Sequence, residues 1–313
     1  MMPEPAVSDC AVISVNSVSK WYGSVVAVSD VSFEVHPGIT GLLGPNGSGK
    51  TTLLRLMCGL AKTSQGRITV FGEDLRHTTE LYRRIGVMSE HESTYEFLTG
   101  RQLVRLSAEL KDVEDVAGAV SRAIERVDLL DAADRLVRTY SRGMKQRMKL
   151  AATIVHDPDL LILDEPLNGA DPRQRVEFQE LLRHLAREGR TVVISSHILE
   201  EVELLADTVL LMINGKLAAE GDHHAIRAAL DDRPYHVRVV CDAPRELAAG
   251  LVRLEAVDSV QVDPDGGVVV LSRNVEAVQK SLPRLASEHS IRLVRVEPLD
   301  DSLESVFEYL VEQ

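Results

Sequence analysis

The chain is poor in cysteine, in basic charge and in long apolar runs, and each shortage removes a class of protein. Its 313 residues include three cysteines, Cys10, Cys58 and Cys241. They are odd in number and far apart, which argues against a disulfide framework or a metal site and fits a reducing compartment. Lys plus Arg number 35 against 48 Asp plus Glu, a net charge of −13. That deficit argues against nucleic acid as a bulk partner, because neutralising phosphates takes clustered cations. The apolar runs are short, Val209 to Ile213 being typical, whereas crossing a bilayer takes about 18 to 20 residues. Met1 to Ala11 shows neither the basic region nor the apolar stretch of a secretion signal. A role at a membrane would therefore require docking to another protein. No internal repeat or low-complexity segment occurs.

The composition, 44% hydrophobic and 27% charged, is that of an ordinary globular protein, and the length suits two domains. Val31, Phe33 and Val35 alternate with Ser32 and Glu34, so residues 12–36 read as half-buried antiparallel strands. Ile39 to Leu43 is a short apolar strand, and the helix beyond it is expected to carry Leu53, Leu56, Met57 and Leu60 on one face. Residues 99–138 read as helical throughout, opened by a capping box from Thr99 and Gln102, with Val113, Val116, Val120, Ile124 and Val127 at helical spacing. Strand 160–163, helix 172–188 and strand 191–195 follow. This α/β pattern predicts a buried parallel sheet wrapped by helices, with an antiparallel β subdomain and a helical insertion at about 91–141.

A break falls at Asp231-Asp232-Arg233-Pro234. Beyond it the reading is strand 235–240, helix 245–254, strand 259–262, a turn at Asp265-Gly266-Gly267, strand 268–271, helix 275–288 and strand 291–296. That β-α-β-β-α-β order is the ferredoxin-like arrangement. A last helix places Leu303, Val306, Phe307 and Leu310 on one stripe. The expected organisation is a tail over 1–11, a main domain over 12–230 and a small α+β domain over 235–313.

Gly44-Pro45-Asn46-Gly47-Ser48-Gly49-Lys50-Thr51 fits the phosphate-binding pattern G-x-x-x-x-G-K-S/T, with the required strand before it and helix after it. Its glycines let successive N–H groups turn toward phosphate oxygens, and the helix start adds its positive end. Lys50 supplies a point charge and the Thr51 hydroxyl a Mg²⁺ ligand. Asp164 closes a buried apolar strand, where a carboxylate is costly unless a cation or hydrogen bonds satisfy it. Glu165, next to it, is the best general base for an attacking water. An Asp-Glu pair after a strand is usually a cap or turn; the upstream glycine loop turns that reading toward function. Ser141 is an N-cap candidate for a helix with Met144, Met148, Ala152 and Val155 on one face, so Ser141 and the Gly143 backbone make a second anion site.

The succession of the glycine loop, Glu90, Tyr140-Ser141-Arg142-Gly143-Met144, Asp164-Glu165, Asp171 and His197 resembles the nucleotide-binding subunits of ABC transporters. Within them it is similar to the branch that drives ABC-2-type exporters of drugs, antibiotics and ions. The likeness covers roughly residues 12–225 and, weakly, Ser302 to Phe307. It implies a P-loop ATPase of the ABC type, using ATP and Mg²⁺, that powers a separate transmembrane permease from the cytoplasmic side of the membrane. ATP contacts are implied for Gly44, Pro45, Asn46, Gly47, Ser48, Gly49, Lys50, Thr51 and Thr52, with Tyr22, or its neighbour Trp21, stacked on adenine. Mg²⁺ falls to Thr51, Asp164 and Glu90, and catalysis to Glu165 and His197, the latter also touching the γ-phosphate. Ser141, Arg142, Gly143 and Met144 are assigned to the ATP of an opposite subunit, and Asp171 to the loop that signals between the two sites. Two chains, identical or paralogous, then close head to tail over two nucleotides. The segment from Glu90 to Leu98 is where the family receives a short helix of the membrane subunit.

Two features depart from the common family pattern. Tyr-Ser-Arg-Gly-Met stands where L-S-G-G-Q is usual, which leaves the contacts of Arg142 and Met144 open. Glu90 stands where glutamine is usual, with Glu92 as a competing alignment. His223 and His224 read as surface polar residues. The rival function is an ABC-type ATPase acting on ribosomes or DNA; such proteins usually carry two cassettes or a long coiled coil, and this chain has neither. The second domain is expected to serve dimer contacts or regulation, with a small-ligand module as the alternative.

Overall fold

In the computed structural model the described residues are 11–75, 78–90, 95–222, 235–263 and 266–299. The chain divides into two units, residues 1–222 and 223–313. In the first, β1 (Ile13–Tyr22), β2 (Val25–Val35) and, later, β4 (Gln65–Val70) form an antiparallel sheet of order β2-β1-β4. Along β2 the expected alternation is seen: Val31, Phe33 and Val35 are buried and Ser32 and Glu34 exposed.

A second sheet is built on β3 (Ile39–Leu43), β5 (Ile85–Met88), β6 (Leu160–Leu163), β7 (Thr191–Ser196), β8 (Thr208–Ile213) and β9 (Lys216–Gly221). Its order is β5-β6-β7-β3-β8-β9, parallel except for the antiparallel edge strand β9. β3, β6 and β7 are buried at every residue, as strands covered on both faces must be. β6 shows how the two faces are divided. Leu160 and Ile162 pack with Leu53, Met57 and the β1–β2 layer, whereas Leu161 and Leu163 pack with the helices on the other side. Because β3, β6 and β7 run parallel, the chain leaves all three at one edge, and the glycine loop, Asp164-Glu165 and His197 come together there.

Helix α1 (Lys50–Met57) is shorter than its periodicity suggested. Gly59 takes φ +68°, and its N–H and that of Leu60 donate back to Leu56 and Arg55, a glycine cap that ends the helix. Leu60 therefore lies beyond the helix and is exposed, not on the buried face. The segment expected to be helical over 99–138 is two helices, α2 (Gly100–Leu110) and α3 (Val116–Arg126), followed by two short 3₁₀ turns. Asp112 and Asp128 interrupt it at φ +52° and +54°. Asp tolerates this left-handed region better than most residues, and helices end there without glycine. The Thr99–Gln102 capping box is present, both of its hydrogen bonds included. α4 (Arg142–Ile154), α5 (Pro172–Arg187) and the short α6 (Leu199–Glu203) complete the unit.

In the second unit, β10 (Tyr235–Cys241), α7 (Pro244–Leu251), β11 (Ser259–Val262), β12 (Gly267–Ser272), α8 (Val275–Glu288) and β13 (Leu293–Pro298) follow in that order. The sheet is antiparallel in the order β11-β12-β10-β13. Its core joins Val237, Val239, Val268 and Val270 to Leu247, Leu251, Val278 and Leu282 of the two helices. α7 stops at Leu251, three residues short of the expected end, and β13 sits two residues later than expected. The expected last helix over 303–310, the pair His223–His224, Glu92 and the tail before residue 11 lie outside the described residues.

Candidate functional site

The glycine loop joins β3 to α1, and its geometry follows from glycine. Gly47 and Gly49 take φ +82° and +102°. A Cβ at Gly49 would strike the Ala27 carbonyl, while the space around Gly47 is open. Gly49 is also the N-cap of α1, with no side-chain cap and no acidic residue in the first turn. The first N–H groups of the helix therefore remain for an anion, and the helix end favours one. Lys50 is buried. Its ammonium donates to the Gly44 and Pro45 carbonyls at 2.7 and 3.2 Å and lies 3.5 Å from Glu165 Oε1.

At the end of β6, Asp164 and Glu165 are both buried, at 6% exposure each. The Thr51 hydroxyl donates to Asp164 Oδ1 at 3.3 Å, and the Ser195 hydroxyl donates to the same oxygen at 2.7 Å. Ser195 Oγ also accepts the Glu165 N–H at 2.9 Å. One hydroxyl of β7 therefore supports both members of the acidic pair, which have the protein partners that burial demands. Glu165 sits at φ +47°, which turns its side chain away from that of Asp164. Its Oε2 is 2.8 Å from His197 Nδ1 and its Oε1 faces Lys50. Lysine, base and histidine lie in one row.

Glu90 is reached through Asn168, whose Nδ2 donates to Glu90 Oε1 at 3.1 Å. Asn168 Oδ1 in turn faces Arg142 Nη2 at 3.5 Å. Two of the residues that depart from the common family pattern, Glu90 and Arg142, thus meet at one amide. Ser141 is the N-cap of α4, accepting the Met144 N–H at 3.2 Å, and the residue is exposed. At Gly143 an added Cβ would meet only the flexible end of the Gln174 side chain of α5. Asp171 is the N-cap of α5, accepting the Gln174 N–H at 2.9 Å. Tyr22 closes β1 with its ring half exposed and the Lys20 ammonium 4.7 Å from the ring centre; Trp21 is exposed to a similar degree. The contacts therefore gather Lys50, Thr51, Asp164, Glu165 and His197, while Glu90 is joined to Asn168. Tyr22 belongs to the β1–β2 layer, and Ser141 and Asp171 cap their own helices.

Sequence reasoning missed Ser195, Asn168, Arg175 and Glu201. Ser195-Ser196 at the end of an otherwise apolar strand was a usable signal, since polar side chains there must find partners. The others carried none, because their partners are distant in sequence.

The donor set suits a triphosphate with a hard divalent ion. Uncapped N–H groups and an ammonium meet the anion. A hydroxyl and a single carboxylate are a typical protein share for Mg²⁺, which keeps waters and phosphate oxygens as its remaining ligands.

Comparison with known proteins agrees. A family model described as ABC transporter matches residues 28–168. The chain is 35% identical over 305 residues to a bacitracin transport ATP-binding protein of Bacillus licheniformis, covering 96% of this chain and 97% of that one. A daunorubicin/doxorubicin resistance ATP-binding protein of Streptomyces peucetius is 34% identical over 279 residues, 88% of this chain and 84% of the relative. Among solved structures, an ATP-binding subunit of an ABC transporter superposes with a TM-score of 0.63 at 27% identity, covering 70% of this chain and 93% of its own. A relative that is 35% identical over 96% of this chain shows the family: the chain belongs to the ATP-binding, ATP-hydrolysing subunits of the ABC transporter family.

Proposed function

We propose that the chain powers a separate membrane permease that exports drugs, antibiotics or related small molecules. One observation carries this reading: the likeness to the bacitracin and daunorubicin proteins runs through nearly the whole chain, the second unit included. The solved ATP-binding subunit, by contrast, accounts for only 70% of it. No helix among the described residues is long and apolar enough to cross a membrane. In this reading the permease is a separate chain, and this one binds it from the cytoplasmic face. The exposed Tyr95 and Phe97, whose rings pack edge to face, follow Glu90 and supply an apolar foothold for that contact.

In the hydrolytic step, the loop N–H groups and Lys50 hold the phosphates, with Tyr22 or Trp21 against the adenine. Thr51 and Asp164, with Glu90 beside them, are the residues to hold Mg²⁺, which when bound neutralises charge on the phosphates. Glu165 accepts the proton of the attacking water, and His197, at 2.8 Å, holds the Glu165 carboxylate in line. Ser141 and the α4 start serve the nucleotide of a second copy or a paralogue, so that two chains complete two sites. Transport follows if the closed pair prefers one conformation of the permease over another. The second unit is read as an accessory ferredoxin-like domain for dimer contacts or regulation.

Two measurements test this. Glu165→Gln should lower ATP turnover by about a hundredfold or more while ATP still binds and traps a dimer; normal turnover removes Glu165 from its role. Purification from detergent-solubilised membranes should bring down a polytopic protein, whereas recovery on ribosomes would overturn the transport reading.

A further inference from the structure

α5 and the segment after β7 are joined by charges that none of the steps above employs. Glu201 lies on α6 and is only 5% exposed although it carries a carboxylate. Its Oε2 accepts the Ser196 hydroxyl at 2.7 Å, and Ser196 Oγ accepts the Ile198 N–H at 3.0 Å. Those contacts fix the residues on either side of His197. From the other direction, Arg175 Nη1 stands 3.3 Å from Glu201 Oε1, and Arg175 Nε donates to the Ala170 carbonyl at 3.1 Å. Ala170 directly precedes Asp171, the N-cap of α5. One guanidinium and one carboxylate thus connect the Asp171 turn to both chain neighbours of His197.

Stability alone is a poor reason for such a pair. Arg175 stays one-third exposed, so burying the Glu201 carboxylate costs much of what its attraction to that cation returns, and apolar residues of similar size often do as well. Burial pushes the Glu201 carboxyl up, the Ser196 hydroxyl and the Arg175 charge pull it back, and Glu165 and His197 lie near enough to act on it as well. The two ends of the carboxylate differ. The Ser196 bond is short and directional. Oε1 has no aligned hydrogen bond, so Arg175 meets it as a charge only. Arg175 thus ties the Asp171 turn to the loose end, and the tight end ties the same carboxylate to the residues beside His197.

We propose that Arg175 and Glu201 are positioning residues that set His197 against Glu165 according to the placement of the Asp171 turn. The inference rests on reading the site as an ATPase. Its test is single-turnover ATP hydrolysis by the full chain carrying Glu201→Gln, Arg175→Gln or both, each also made in a His197→Ala background. Glu201→Gln keeps the shape and still accepts from Ser196. Each single change should lower the hydrolysis rate about tenfold with ATP affinity unchanged. The double variant should be no worse than the poorer single, and neither change should cost more once His197 is gone. Wild-type rates in the single variants, losses that multiply, or undiminished losses in the His197→Ala background would each overturn the proposal. Arg175→Met with Glu201→Leu guards against misfolding: it should melt like the wild type yet hydrolyse about tenfold more slowly, and wild-type rates there also overturn it. A wild-type chain that hydrolyses no ATP would instead defeat the ATPase reading itself.

Discussion

Gly47 and Gly49 lie two residues apart in one loop, yet alanine should cost different amounts at the two. Both have left-handed φ values, +82° and +102°, which an alanine adopts at a cost of about 1–2 kcal/mol. Only at Gly49 would the new methyl also meet a backbone carbonyl, that of Ala27, and backbone yields far less readily than a side chain. Urea unfolding should therefore find Gly49→Ala the less stable by at least about 1 kcal/mol, and equal midpoints would show that Ala27 gives way. At this scale the sequence was informative about placement: the glycine loop joins a strand to a helix that begins at Lys50, and Asp164-Glu165 follow a buried strand. Leu60 shows the opposite: its spacing fits the helical face, but Gly59 takes a left-handed backbone that ends the helix before it. Asn168 could not have been found, because Glu90, 78 residues away, gives no local hint of the contact.

Between β5 and the end of α4 a half-buried histidine links elements in a way that pH should reveal. His156 Nε2 meets the Ile85 carbonyl at 3.1 Å, while its Nδ1 is buried without a partner. Burial, with the Lys111 charge nearby, lowers its pKa from 6.5 to about 4. The folded chain therefore refuses a proton that the unfolded chain accepts below pH 6.5. Stability from this group is complete above pH 6.5 and is lost as the pH falls toward 4, by on the order of 3 kcal/mol at most. Urea midpoints measured from pH 7 to pH 4 should fall less steeply for His156→Gln than for the wild type, and parallel slopes would refute the assignment. Elements were legible where caps are coded by residue type, as at Thr99 and Ser141. The insertion read as continuous because its breaks use Asp112 and Asp128, which sequence patterns accept within a helix.

On the scale of the whole molecule, the first unit holds two apolar clusters flanking its parallel sheet and the second holds a separate one. Calorimetry should resolve two transitions. ATP at about 100 times its dissociation constant should stabilise only the one belonging to residues 1–222, by about 2.7 kcal/mol; an equal shift of both would show that the units unfold together. The parallel-sheet architecture was legible from alternating strand and helix signals, whereas the meeting of the two departures from family pattern was not. That meeting has an evolutionary consequence. Asn168 offers a donor toward Glu90 and an acceptor toward Arg142, and a side chain with only one of those capacities can satisfy only one neighbour. Relatives that carry glycine in place of Arg142 are released from half of this demand, so positions 90, 142 and 168 should drift as a correlated trio across an alignment, while Lys50 and Asp164 stay put.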